Sequence, residues 1–155
     1  MKNIKIIFLV LIVALAGFLR FYKLGELSSS AYKLDRVPPS LNWDEIAAGY
    51  NAYTIANWGM DEYGNKFPIV FKSFGDDKHP VHIYLTALVV KIFGLSDFST
   101  RAGSALIGTL SILAIYFLAK KLFKNDMVGI LSALFLSVSP YHLQFSRGLW
   151  ETNFA

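Results

Sequence analysis

The chain has 155 residues, 54% of them hydrophobic and 17% charged, with no cysteine and a formal net charge of +4. Soluble domains hold about 45–50% apolar and about 25% charged residues, so this balance, like the mean hydropathy of +0.43, leans toward a membrane protein. It excludes an intrinsically disordered chain, which needs low hydrophobicity, and without cysteine there is no disulfide scaffold or thiolate metal site.

A helix needs about 20 mostly apolar residues to cross a bilayer. The first candidate is the uncharged run 6–19, flanked by Lys5 and Arg20. Both flanks can snorkel, which extends the expected span to residues 4–22. Its start at Lys2 and Lys5, with Ala14-Leu-Ala16 near its end, also fits a cleaved signal peptide. Ser28-Ser-Ser30 then reads as loop, and Pro38-Pro39 hold the chain extended.

Asn42 with Glu45 three residues on has capping-box spacing, which predicts a helix running to about Trp58 and ended by Gly59. Trp43, Ile46, Tyr50 and Tyr53 share one face of it, and a Trp- and Tyr-rich face beside a span reads as interfacial. Asp44 and Glu45 fall in its first turn, where the helix dipole alone favours acidic residues. Residues 59–64 read as a turn and 67–71 as a short extended segment.

Four ionisable residues, Asp76, Asp77, Lys78 and His79, then stand between Gly75 and Pro80. The plain reading is a solvated turn that caps a helix. The sharper one is an anion site at a helix N-terminus, with Lys78 on a phosphate and Asp76 or Asp77 holding a divalent cation. His79 and His82 alone make a weak metal pair. Pro80 at the start and Gly94 after the end predict a helix of about 14 residues, too short to cross comfortably.

Arg101 opens the second span, 102–119; the third, 127–146, carries Pro140 near its end and is followed by Arg147 and Glu151. The connector 120–126 holds Lys120, Lys121 and Lys124. Placing these and Lys2/Lys5 in the cytoplasm satisfies the positive-inside rule. The N-terminus is then cytoplasmic, and 21–101 is a long extracytoplasmic loop with two juxtamembrane helices. The alternative, a true span over 81–94, would put the three connector lysines outside. Residues 21–100 carry seven basic and nine acidic side chains, so the basic excess marks the cytoplasmic ends. It is not a nucleic-acid patch, which needs Lys and Arg clustered on one face.

This topology places Asp44, Glu45, Asp77, Lys78, Arg101, Arg147 and Glu151 on one side of the membrane. Carboxylates beside cations there suit a reaction on a lipid-linked phosphate: a carboxylate takes a proton or contacts a metal, and Arg or Lys stabilises the leaving phosphate.

The ordered set Trp43-Asp44-Glu45, Gly64, Pro68, Asp77-Lys78-His79-Pro80, Tyr84-Leu85, Phe93-Gly94 and Ser99-Thr-Arg101 resembles the N-terminal region of bacterial family 39 glycosyltransferases. These are similar to protein O-mannosyltransferases and the aminoarabinose lipid A transferase. The resemblance covers residues 4–155 and the first third or less of a typical member. It implies an all-α integral membrane fold of the GT-C type and a polyprenyl-phosphate sugar donor. It also implies that this chain is the opening, by itself inactive, part of a larger plasma-membrane enzyme.

By the same resemblance Asp44 and Glu45 match the family's acidic pair, with Asp44 in acceptor activation or metal contact. Asp77 and Lys78 match its acidic-Lys-Pro motif, although His79 stands where Pro usually follows. Arg101 matches the Arg opening the second span. Glu151, with Arg147 four residues before it, matches an acidic residue at the outer end of the third. A divalent metal ion is the one cofactor the resemblance brings in; sugar and acceptor stay open. Two other readings of the chain are a non-catalytic membrane binding module and a transporter fragment. The second is disfavoured because the ionisable residues cluster at the span ends and not at the midplane.

Overall fold

The computed structural model describes residues 2–26 and 41–154; Ser28-Ser-Ser30 and Pro38-Pro39 lie outside them. The elements among the described residues are α1 (Lys2–Phe21), α2 (Trp43–Trp58), β1 (Phe71–Ser73), β2 (Asp76–Lys78), α3 (Pro80–Phe93), α4 (Asp97–Phe123), α5 (Asp126–Val138) and α6 (Pro140–Ser146). Short 3₁₀ turns stand at Leu24–Glu26 and Glu151–Asn153.

This is an all-α membrane protein with a small hairpin. The stretch Ile4–Glu26 and α4 are each long and apolar enough to cross a bilayer; α5 and α6, bent by 62°, reach that length only when taken together as one span. The expected third span is therefore broken in its second half. The break falls at Pro140, which has no N–H and whose ring disfavours a continuous helix. At 14 residues α3 rises about 21 Å, short of a hydrocarbon layer about 30 Å thick.

Capping sets the helix starts. Glu45 N–H donates to Asn42 Oδ1 at 2.8 Å and Asn42 N–H to Glu45 Oε2 at 3.1 Å, closing the expected box. Gly59, at φ 67°, ends α2. The second span begins a turn earlier than its apolar run suggests, because Ser96 and Ser99 form a reciprocal cap at 3.1 and 2.9 Å. At 27 residues α4 is about 40 Å long, so one end of it stands beyond the hydrocarbon.

The ionisable stretch before Pro80 is a strand rather than a solvated turn. β1 and β2 pair antiparallel, with Ser73 opposite Asp76 and Phe71 opposite Lys78. Phe74 and Gly75 join them at φ 50° and 83°, the two positive values that a tight two-residue hairpin loop demands. The extended segment accordingly lies at Phe71–Ser73 and not at 67–71.

Three clusters hold the helices together. Ile12, Ala16, Ile112, Tyr116, Ile130 and Ala133 pack α1, α4 and α5 in the membrane layer, where dispersion and close approach replace the hydrophobic effect. Leu24, Ala102 and Ala105 seal the junction above it. Ala48, Ala52, Ile55, Phe71, Ile83, Ala87, Val90 and Leu149 join α2, α3 and β1 to the segment after α6. Burying Ile83 or Phe71 there contributes about 1.5–3 kcal/mol each. Trp43, Ile46 and Tyr50 point away, 75%, 54% and 49% exposed, whereas Tyr53, expected on the same face, is half-buried against the cluster.

The ends also sort. Asp126 accepts Lys5 Nζ at 2.8 Å and Lys120 Nζ at 2.9 Å, so the start of α1 and the α4–α5 connector share one end. α2, α3, the hairpin and the start of α4 share the other.

Candidate functional site

The end opposite Lys5 carries a cleft of about 210 Å³. Asp44 from α2, Lys78 from β2 and Glu151 after α6 supply its charged lining. His82, Phe145, Leu149, Trp150 and Thr152 complete it. Lys78 Nζ lies 2.9 Å from Asp44 Oδ1 and 3.9 Å from Glu151 Oε1. Strand alternation puts Asp76 on the Lys78 face and Asp77 on the other, and both carboxylates are exposed. Burial lowers the Lys78 ammonium, but its hydrogen bond to Asp44 and the charges of Asp44, Glu151 and Asp76 outweigh that and hold it above 10.5.

Behind the cleft stands a buried ion pair. Arg101 Nε and Nη2 each donate at 2.8 Å to Glu45 Oε1 and Oε2, and the two residues are 2% and 1% exposed. Glu45 Oε1 also accepts the Leu149 N–H at 3.0 Å. One carboxylate thus caps α2, anchors the first turns of α4 and fixes the segment after α6. Burial raises Glu45, yet the Arg101 and Leu149 hydrogen bonds and the guanidinium charge prevail, so it lies below 4.5.

Of the seven predicted site residues, Asp44, Lys78 and Glu151 converge on the cleft. Glu45 and Arg101 are engaged with each other behind it. Arg147 is half-buried outside the cleft lining, with Nη2 donating to the Tyr22 carbonyl at 2.7 Å. Burial and the Arg101 charge lower it from its usual range.

The sequence reading missed Phe145, Leu149, Trp150 and Thr152 as cleft residues and saw His82 only as half of a metal pair. His82 is 1% exposed, packs its ring 5.9 Å from that of Phe154, and leaves Nδ1 without a hydrogen-bond partner. Burial, then the charges of Lys78 and His79, push it down to about 4, so the imidazole is neutral. The Trp-acid pair Trp150-Glu151, echoing Trp43-Asp44, is the one signal that could have marked this wall.

Among the described residues no group of three or more His, Cys, Asp or Glu side chains is placed to hold a metal ion. Asp44, the candidate ligand, meets the Lys78 ammonium instead. The Lys78 ammonium thus takes the place beside Asp44 that a divalent cation would need.

A model of the dolichyl-phosphate-mannose-protein mannosyltransferase family matches residues 77–155, half of the chain. The chain belongs to this family. The match takes in Lys78, Arg101, Arg147 and Glu151; Asp44 and Glu45 precede it. No curated protein and no solved structure matches the chain. Membership, with the apolar spans, makes this a membrane protein of glycosyltransferase type.

Proposed function

We propose that the cleft between Asp44, Lys78 and Glu151 is where a sugar passes from a polyprenyl-phosphate carrier to an acceptor hydroxyl outside the cytoplasm. The observation that carries this reading is the Lys78 ammonium held between two carboxylates, 2.9 and 3.9 Å away, on an open cleft at one end of an apolar bundle. The family match supports the class of donor.

In the transfer, the bond from the anomeric carbon to the phosphate oxygen breaks and a bond to the acceptor oxygen forms. Asp44 takes the acceptor proton, a role that is generally worth about 10²–10⁴ in rate. The phosphate leaves with the electron pair, and Lys78 meets its charge, as fixed cations do for developing anions. Glu151 holds Lys78 from the far wall. Glu45 and Arg101 position Asp44 and Leu149 and stay out of the chemistry. Arg147, outside the cleft lining, meets the carrier phosphate on its approach.

The N-terminus lies in the cytoplasm of a multi-pass plasma-membrane protein. The lysines at the Asp126 end support that orientation, since cytoplasmic ends collect positive charge. The aromatic face of α2 lies against the lipid headgroups. The partners are the lipid-linked donor and membrane lipid, with no nucleic acid.

Membranes carrying the full-length gene product test the reading with a polyprenyl-phosphate-linked labelled sugar. Label should leave the lipid carrier for an acceptor. Use of a nucleotide sugar alone, with the lipid-linked donor untouched, would overturn it.

A further inference from the structure

Arg20 is a fully buried guanidinium near the end of α1, 0% exposed. Among the described residues no carboxylate lies within ion-pair distance of it. A cation in this layer is costly and usually functional, yet the cleft does not use it. Its donors go to the Ala16 carbonyl at 2.9 Å, the Ser137 carbonyl at 3.4 Å and His142 Nδ1 at 2.7 Å.

These contacts settle the state of His142. A guanidinium only donates, so Nδ1 accepts and the ring proton sits on Nε2. That proton faces Ser111 Oγ at 3.0 Å, and Ser111 Oγ donates onward to the Gly108 carbonyl at 2.8 Å. One directional chain therefore links α1, α6 and α4. Gly108 is part of the fit: a side chain there would run into Ser146 and come within 3.2 Å of Arg20 Nε.

The chain grips the 62° bend between α5 and α6. In a continuous helix the Ser137 carbonyl would accept the amide four residues on. At the break it receives Arg20, and His142, three residues past the bend, receives the same guanidinium. Phe145 on α6 lines the cleft, as do Trp150 and Glu151, four and five residues past the end of α6. The angle of α6 thus sets where that wall stands relative to Asp44 and Lys78.

We propose that Arg20 and His142 are positioning residues for the transfer: their contact pins the bend of the third span and so fixes the cleft wall that carries Glu151. The cleft's role rests on the reading above; the pin itself does not.

The test uses the full-length protein in bilayers, with spin labels at Leu131→Cys and Gln144→Cys on either side of the bend. These 155 residues contain no cysteine of their own. Arg20→Met removes the donor without leaving a buried charge unpaired, a replacement buried cations often tolerate. His142→Leu removes the acceptor. Both should broaden the inter-label distance and lower kcat about a hundredfold, the scale of a roughly 1 Å misplacement, with KM little changed.

His142→Gln can accept from Arg20 and donate to Ser111, and should restore the narrow distance and the rate. Should His142→Leu not fold, Arg20→Met with the Gln rescue decides. An unchanged distance in Arg20→Met overturns the pin. A broadened distance with normal kcat overturns the positioning role. Absence of product from the unsubstituted protein would instead sink the transfer reading, and the distance measurement, which needs no substrate, still reads the pin.

Discussion

Glu45 and Arg101 meet through two 2.8 Å hydrogen bonds, carboxylate to guanidinium, at the place where α2, α4 and the segment after α6 come together. Fifty-six residues of sequence separate them. Because Asp44 directly precedes Glu45, and Leu149 binds the same carboxylate, this pair ties the two walls of the cleft together at their base. Loss of the Glu45 side chain breaks this buried pair and removes its half of the α2 capping box and the acceptor of Leu149 as well; breaking a buried pair costs about 3–5 kcal/mol. Glu45→Ala should therefore lower the melting temperature of the detergent-solubilised protein sharply. Replacement of the exposed Glu26, whose ion pair with Lys23 lies at the surface, should shift it far less. Thermal unfolding followed by circular dichroism checks this.

Stability should also fall in acid, for two reasons that act in the same direction. Glu45 titrates below its ordinary 4.5 in the folded protein, so its contribution is present above that value and is lost as pH falls through the depressed one. His82 titrates at about 4 when folded against an ordinary 6.5. Between those values the unfolded chain binds a proton that the folded chain does not, so stability declines as pH drops from 6.5 toward 4. His82→Gln should flatten that upper part of the curve and leave the steeper loss near pH 4. Melting temperatures measured from pH 7.5 to 4 decide it; an identical curve in the variant would contradict the assignment.

Local chemistry made part of this legible from the chain alone. Asn42 and Glu45 announced the start of α2, Gly59 its end, and Pro80 with Gly94 bounded α3. Apolar runs located the long helices. What failed to show was what distance along the chain conceals. Asp76, Asp77 and Lys78 read as a turn because their polarity masks a strand that is set by the Phe74-Gly75 loop and its pairing with β1. That alternation separates Asp77 from Lys78, two residues the motif had joined. Glu45 stands beside Asp44 in the sequence, whereas its partner Arg101 is brought to it only by the tertiary fold. Pro140 was visible, whereas the angle it produces depends on Arg20 and His142, more than a hundred residues apart.

Close approach at Gly108 gives an independent handle on helix packing. A Cβ there meets the Ser146 side chain, and overpacking of this kind costs about 1–3 kcal/mol. Gly108→Ala should destabilise the protein, and adding Ser146→Gly should recover most of the loss. The double-mutant cycle should thus show strong coupling, as contacting residues do. Additive effects would mean that the two residues do not touch.

The central claim is that Asp44 removes the acceptor proton while Lys78 holds the phosphate. Asp44→Asn keeps the shape and a hydrogen-bond acceptor for Lys78 but cannot take a proton. Initial rates of sugar transfer from a polyprenyl-phosphate donor, measured on the full-length gene product and its Asp44→Asn variant at matched folding, test this directly. The account predicts a fall of about a hundredfold or more, the lower end of what a general base supplies, with an unchanged melting profile; full activity in the variant would contradict it.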